Sequence, residues 1–508
     1  MSSDAAQAIA ALERKYFQRE YGHFINGEWV QGASGKTLQV LSPSTGAVQA
    51  QIQAGNAQDV DRAVRAAHAA FKSWSRTSAH QRQAALLEMA RRLRARVADF
   101  AMMETLDNGK TIVESTYFDI PATIEMLEFF AGAAFLVKGE TVDHPDAITY
   151  VHREPLGVIA AITPWNIQLF AMVLKLGPAL AAGNTLVLKP AESTCLAVLE
   201  FAREMASVLP PGVFNIVTGL GPEAGEPLVT HPLVRKVAFT GSRATARKVI
   251  GYASANIIPQ TMELGGKSAN IICEDADLEA AVEGAVLSTV FNKGEVCIAG
   301  TRAFVHEKVY DEFLEKFTRT LKRVRIGNPT DPATQLGPQA SKIQLDRVCA
   351  YLDLGPQEGA KVVLGGKRAS VAGLEGGYFV EPTIFANVNN GMRIAQEEIF
   401  GPVTCVIPWK TEEEVISLSN ESIYGLGGGL WTANLGRAHR IARELQTGTV
   451  WINRYYNFVP GLPLGGYKQS GFGREGALES LNHYTISKSV VVNLKEGALG
   501  VFAETPPG

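Results

Sequence analysis

Apolar residues recur along this chain in two spacings, and stretches of the two kinds alternate. Residues 4 to 17 carry Ala8, Leu12 and Tyr16 at helical intervals. Asp59 stands where it can cap a helix whose apolar positions are Val60, Val64, Ala67 and Phe71, and a second amphipathic run covers about 79 to 107 before Asp107-Asn108-Gly109 stops it. Both helices are expected to cover a sheet. A further amphipathic helix spans Val309 to Arg323. Between these lie short unbroken apolar runs, Val158 to Ile162, Asn184 to Leu188 and Lys236 to Thr240, which read as strands hidden on both faces. Phe24 to Val30 reads as two short strands turned at Asn26-Gly27. From 133 to 154 the helical period is lost, and Val137 to Val142 with Ile148 to His152 predicts an extended hairpin that projects toward another subunit. Tyr378 to Thr383 reads as an edge strand. Ile486 to Val492 reads as another, with an open side that asks for pairing.

Strands that alternate with helices place a parallel sheet at the centre, with ligands at the carboxyl ends of its strands. At 508 residues the chain needs two or three lobes. With 46% hydrophobic and 19% charged residues it has the balance of a large folded enzyme, so disorder is not expected. A net charge of −3 with scattered Lys and Arg gives no basic stripe, so neither nucleic acid nor a membrane surface is an expected partner; a small molecule is. Five widely spaced cysteines without a CxxC pair exclude a disulfide framework and a zinc site, and no metal is expected. The first residues, with Asp4, Glu13 and Arg14, do not read as a secretory signal, and no apolar run approaches about 18 residues. A cytoplasmic location is the expectation.

The candidate chemistry clusters at turns. Phe291 to Gly300 sets Cys297 in a small-residue turn after an apolar run, with Gly294 and Gly300 expected to let substrate and backbone come close. A thiol attacks carbon only as thiolate, so it needs backbone donors or a base. A lone cysteine is more often a buried structural residue, which leaves the decision to its partners. Thr163-Pro164-Trp165-Asn166 ends one strand before a helix from about Leu169 to Ala182, and the Asn166 carboxamide can donate to an oxyanion or simply form the turn. Lys189-Pro190-Ala191-Glu192 opens a helix on the same rim. There a lysine and a glutamate can grip two ribose hydroxyls, and the glutamate would repel a 2′-phosphate. Phe239-Thr240-Gly241-Ser242 runs into a helix from 243 to 252 whose free amides suit a pyrophosphate, although a single Gly-Ser turn is also a common loop of no function. Glu263 lies in an apolar, glycine-flanked turn where a base is useful.

Taken together in order and spacing, these blocks resemble the aldehyde dehydrogenase superfamily, in its NAD-dependent, non-phosphorylating, hydrolytic branch. Glu398 to Val403, Gly448 to Asn453 and Pro463 to Gly471 carry the likeness on, so it covers about residues 20 to 495. The resemblance implies an α/β fold with three parts: a Rossmann-like dinucleotide domain (1–132 and 155–262), an α/β catalytic domain (263–470) and a small β oligomerisation arm (133–154 and 484–497). It implies a homo-oligomer, a tetramer in preference to a dimer. Position by position it implies Cys297 as nucleophile, Glu263 as general base, Asn166 with the Cys297 amide as oxyanion hole, and Lys175 and Glu475 as a relay for the proton. NAD is the implied cofactor, held by Ile162, Pro164, Trp165, Lys189, Glu192, Gly241, Ser242, Leu264, Glu398 and Phe400. Phe170, Leu174, Val296, Ile298, Phe458 and Leu464 would line a substrate tunnel.

The chain departs from the family pattern at three places: Gln168 replaces a proline, Ala246 a glycine of the phosphate turn, and Glu295 a glutamine. Leucine at 174 and 464, where bulkier aromatic residues are common, predicts a wide, apolar tunnel with no residue to pair a charged substrate. The opposing expectation is that Tyr455, Tyr456 and Gln168 fold inward and fill it with polar groups. The expected activity is oxidation of a bulky apolar aldehyde, whether aromatic, terpenoid or medium-chain, to its acid. A CoA-acylating enzyme would not need Glu263 as base. A binding protein that merely keeps the fold would not need Cys297, Glu263 and Asn166 together.

Overall fold

Val158–Ile162, Thr185–Lys189 and Val234–Thr240 bury nearly every side chain, and strands of that kind belong inside a parallel sheet covered on both faces. A computed structural model, which describes residues 2–498 and 501–502, places them there. Met1, the first residue of the expected dinucleotide span, lies outside the described residues. The eight-stranded sheet runs Gly471–Phe472, Gln260–Glu263, Val234–Thr240, Val158–Ile162, Thr185–Lys189, Phe214–Ile216, His23–Ile25, Glu28–Val30. Its five middle strands are parallel. Val158–Ile162 leads one way to Thr185–Lys189 and the other way to Val234–Thr240, so the crossovers diverge between the first and last of these strands, and a crevice opens at their carboxyl ends.

A second, seven-stranded sheet runs Lys361–Leu364, Thr383–Ala386, Val403–Trp409, Arg302–His306, Ala269–Ile272, Gly427–Trp431, Thr449–Ile452. Only its first strand is antiparallel. Apolar clusters fill both faces of each sheet. Thr485–Asn493, Ala147–Pro155 and Glu140–His144 form a separate three-stranded arm. Its outer strand leaves Ile486, Val491 and Val492 exposed. A further small sheet, Glu20–Tyr21, Val48–Gln53 and Thr37–Leu41, has too little alternation to be read from the sequence.

Several boundaries differ from the sequence reading. The helix expected to start at Asp59 starts at Ala57: Asn56 is the cap, and Asp59 closes a capping box onto the Asn56 amide. The run from 79 to 107 is two helices, Ala79–Ala95 and Val97–Asn108, broken at Arg96. Gly109, at φ 88°, ends the second. Only Ala57–Trp74 lies on the sheet, whereas Ala79–Ala95 packs on Ile120–Ala133 and Gln168–Ala181 as a second layer. The residues at 189–192 do not open a helix; the chain turns through 192–194 and the helix begins at Leu196. Tyr378 to Pro382 forms only an isolated antiparallel bridge, Val380 to Arg368, and the strand there, Thr383–Ala386, is flanked on both sides. The helix Gln168–Ala181 is buried along its whole length, wedged between the sheet and that second layer, and its side chains are therefore fixed.

Candidate functional site

The helix Leu278–Val290 runs down to the thiol and then stops abruptly. Asn292, Lys293 and Gly294 follow with φ of 44°, 59° and 72°, and a non-glycine residue in this region costs of order 1–3 kcal/mol. Neighbours hold the turn. The Asn292 amide donates to Glu114 Oε1 at 2.7 Å, and Asn292 Nδ2 donates to the Asn166 carbonyl at 2.8 Å. Lys293 is fully buried, 3.0 Å from Glu295, and also donates to Asn108. The Glu295 carboxylate accepts from the Ala340 amide. This departure from the family glutamine is therefore a buried ion pair. Gly294 and Gly300 do not make room for substrate, as the sequence reading had it. A Cβ on Gly294 would lie 2.2 Å from the Gly401 carbonyl oxygen, and one on Gly300 2.7 Å from the Tyr455 ring.

Cys297 emerges from this loop between two cavities. Burial, with Glu398 and then Glu263 nearby, pushes its thiol up to about 12, opposed by the amides of Cys297 and Ile298 that hydrogen-bond the sulfur. The resting thiol is protonated and needs a base. Glu263, the last residue of Gln260–Glu263, lines both cavities with Cys297, and its Oε1 has no hydrogen-bond partner. Burial and then the charge of Glu475 hold its carboxyl well above the ordinary carboxylate range, against Lys175 and Arg474. Lys175, fully buried on its helix, donates to Thr240 Oγ1 at 2.6 Å and to Glu475 at 2.9 Å. Thr240 pairs in register with Glu263 on the adjacent strand. Asn166 Nδ2 spends one hydrogen on the Glu295 carbonyl at 2.8 Å, leaving its second for the cavity it lines.

One cavity, with ≈ 960 Å³ of empty space, is lined by all six expected wall residues, Phe170, Leu174, Val296, Ile298, Phe458 and Leu464, joined by Phe118, Phe291 and Trp451. Phe118 touches Phe291 and Phe458 edge-on, with ring centroids 4.8 and 5.6 Å apart. Tyr455 and Tyr456 do not refill the space: both are buried behind the wall, Tyr455 donating to the Ile298 carbonyl at 2.8 Å. Gln168 also faces away, toward Asp107. The expectation of a wall without charge needs correction. Asp119, Glu263 and Glu475 reach the cavity; the fully buried Lys110 pairs with Asp119 at 2.9 Å and with Glu104 at 3.2 Å, and Lys175 pairs with Glu475 at 2.9 Å.

On the other side of the thiol a cleft of ≈ 660 Å³ is lined by Pro164, Trp165, Gly241, Ser242, Leu264, Glu398 and Phe400. Glu398 accepts from the Gly266 amide at 3.0 Å, and burial raises its carboxyl to about 7. Phe400, at φ 63°, lies edge-on to Trp165 with ring centroids 5.2 Å apart. The cleft continues along the first sheet into a cavity of ≈ 1160 Å³ bounded by Ile162, Lys189, Glu192 and Ser242. Lys189 donates to Glu192 at 3.2 Å, and Ser242 caps the helix Arg243–Ala253 by accepting from the Thr245 amide. The methyl of Ala246 turns inward to the core beneath this turn. The pair at 189 and 192 suits a diol, and the helix N-terminus suits a diphosphate, so the residues fit a dinucleotide.

Sequence reasoning missed Thr240, Asn292, Arg347 and the buried charges Glu104, Lys110, Asp119 and Lys293. Lys110 and Asp119 meet across a π-turn at Ser115–Asp119 inside a helical stretch, and that insertion has no periodic signature. Among the described residues no cluster of His, Cys, Asp or Glu is arranged to hold a metal ion, and no helix is long and apolar enough to cross a membrane.

A model of the aldehyde dehydrogenase family matches residues 29–490. The chain is 44% identical over 493 residues to an aldehyde dehydrogenase of Deinococcus radiodurans, covering 96% of this chain and 95% of that one. It is 43% identical to acetaldehyde dehydrogenase 2 of Cupriavidus necator, covering 96% and 97%. Among solved structures, the NAD+ complex of an aldehyde dehydrogenase from Bacillus cereus superposes with a TM-score of 0.92 at 42% identity, covering 95% of this chain and 98% of that one. The betaine aldehyde dehydrogenase of Staphylococcus aureus, also with NAD+, superposes with a TM-score of 0.94 at 37% identity, covering 98% and 99%.

Proposed function

This chain belongs to the aldehyde dehydrogenase family, and on that premise we propose that it oxidises bulky apolar aldehydes to carboxylic acids with NAD, through covalent catalysis at Cys297. The observation that carries the reading is the position of Cys297, between an apolar cavity sized for a hydrocarbon substrate and a polar cleft sized for a dinucleotide.

Cys297 gives its proton to a base as its sulfur adds to the carbonyl, and the amides already directed at the sulfur favour the thiolate. The oxygen that gains charge is met by the free hydrogen of Asn166 Nδ2, a donor of a kind worth about 3 kcal/mol of barrier. Bound NAD supplies the hydride acceptor, with Lys189 and Glu192 on the adenosine ribose, Ser242 at the diphosphate, and Glu398 and Phe400 at the nicotinamide end. Glu263 then deprotonates the water that attacks the thioester, which releases the acid. Burial and Glu475 hold its carboxyl above the ordinary carboxylate range, which makes it a stronger base once ionised, and Lys175 with Glu475 accepts the proton in turn. The water-activating role of Glu263 favours hydrolysis over transfer to coenzyme A.

The dinucleotide domain would comprise 1–132 and 155–262 and the catalytic domain 263–470. The arm, 133–154 with 484–497, would carry its open strand to the bare edge at Thr449–Ile452 of another copy in a homotetramer. The deciding experiment is kcat/KM by NADH absorbance across acetaldehyde, hexanal, benzaldehyde and citral. Each added methylene is worth about 0.8 kcal/mol, or roughly fourfold, until the space fills. A best rate with acetaldehyde or a charged aldehyde rejects the substrate class. Silence with every aldehyde rejects the activity.

A further inference from the structure

Behind the catalytic segment lies a smaller cavity, with ≈ 300 Å³ of empty space, that the reaction does not use. Lys267, Arg302, Ser419 and Thr447 line it. Lys267 and Arg302 are each 2% exposed, and neither forms an ion pair among the described residues. The Arg302 guanidinium is consumed by the carbonyls of Lys267, Leu418 and Ser419 and by Asn390 Oδ1. Those contacts occupy four of its five hydrogens and leave its charge unpaired. Among the described residues Lys267 Nζ has no hydrogen-bond partner, and neither do the hydroxyls of Ser419 and Thr447. A third cation, Lys468, sits against the same loop, donating to the carbonyls of Asn420 and Ser422. Asn420 brings no free acceptor, since its Oδ1 accepts from the Gln446 amide.

Buried charge without a counter-charge is costly, and a buried donor without an acceptor adds to that cost. Burial pushes the Lys267 ammonium down to about 8, and water would satisfy the hydroxyls without compensating the charge it keeps below that pH. The groups that favour the Lys267 charge are Cys405, whose own thiol burial pushes up to about 11, and then the carboxylates of Glu398 and Glu397; none of them forms an ion pair or hydrogen bond with Nζ among the described residues, and Glu398 accepts from the Gly266 amide. The Lys267 ammonium can only donate, and the unpartnered hydroxyls of Ser268, Ser419 and Thr447 can turn a hydrogen toward the same space, so an acceptor ligand can be met from several sides. We propose that this cavity binds a small inorganic anion of halide or nitrate size, held by Lys267 with Ser419 and Thr447. The site is joined to the catalytic centre by one short run: a Cβ on Gly266 would lie 2.4 Å from the Cys297 carbonyl oxygen, and Lys267 follows directly. The inference does not depend on which aldehyde the enzyme takes.

Thermal unfolding of the full chain tests it, with bromide exchanged against gluconate at constant ionic strength. The wild type is expected to gain Tm saturably with bromide. Lys267→Met is expected to weaken the apparent bromide affinity roughly tenfold or more, while its Tm in gluconate equals or exceeds that of wild type because an unpaired buried charge is gone. Thr447→Val, which keeps the charge, is expected to weaken bromide less and serves if Lys267→Met does not fold. Crystals grown in bromide are expected to show an anomalous peak beside Lys267 Nζ. An unchanged bromide response in both variants, or no anomalous peak in this cavity, overturns the proposal.

Discussion

Two cavities meet at one sulfur atom and are built in opposite ways. The cleft toward the first sheet takes its floor from short runs at strand ends, Pro164-Trp165, Lys189 to Glu192 and Gly241-Ser242, with Glu398 and Phe400 closing it from the second sheet's side. The apolar cavity is assembled from residues far apart in sequence, Phe118, Leu174, Phe291 and the 458–464 loop among them. The polar side can recognise a fixed ligand through local backbone geometry. The apolar side recognises only shape and area, so it can change with single side chains while the chemistry stays fixed.

Removing the atom the two sides share should have the largest effect. Cys297→Ala is expected to reduce oxidation to background while NAD affinity, measured by fluorescence titration, is kept; turnover by this variant would break the assignment. Next in size, Glu263→Gln is expected to leave the first burst of NADH and lower steady-state turnover on the order of 10²–10⁴-fold. Loss of the burst as well would place Glu263 in activating the thiol. Asn166→Ala should cost about 10²–10³-fold in kcat, and an unchanged kcat would remove it from the oxyanion site. Leu174→Trp acts on one side only: it should lower kcat/KM for citral against acetaldehyde by roughly fourfold for each methylene's worth of space filled, without moving NAD affinity. A parallel loss of NAD affinity would show that the two cavities are not independent.

The smallest effect is a shift in pH dependence. Glu263 is held up by burial and then by Glu475, and it must be ionised to act, so turnover rises with pH through its raised pKa. Glu475→Gln removes a like charge and frees Lys175 to favour the carboxylate, and both changes lower that pKa. The acid limb of kcat should therefore move to lower pH. A limb that stays in place would assign it to another group.

Wherever ligand contacts follow from a strand end or a helix start, they could be read in the sequence. Ser242 at a helix start and Asn166 after Pro-Trp need only neighbours in the chain, because parallel strands buried on both faces deliver their last residues to one rim; Glu263, read as a turn residue, is the last residue of the strand Gln260–Glu263. The thiol, carboxylate and carboxamide were legible as candidates at the same level. Contacts between side chains distant in sequence were not. The Lys110–Asp119 pair depends on a π-turn, and the left-handed turn at 292–294 is held by Glu114 and Asn166 from other elements. The glycines before and after Cys297 answer to Gly401 and Tyr455, which no local pattern brings near. The inward or outward course of Tyr455 and Tyr456 was also open in the sequence, since an aromatic residue anchors a loop or lines a tunnel by the same burial. Only the packing of the 454–460 loop against Trp451 and Ile298 decided it, because burial energy depends on how much apolar surface is covered and not on where along the chain that surface comes from.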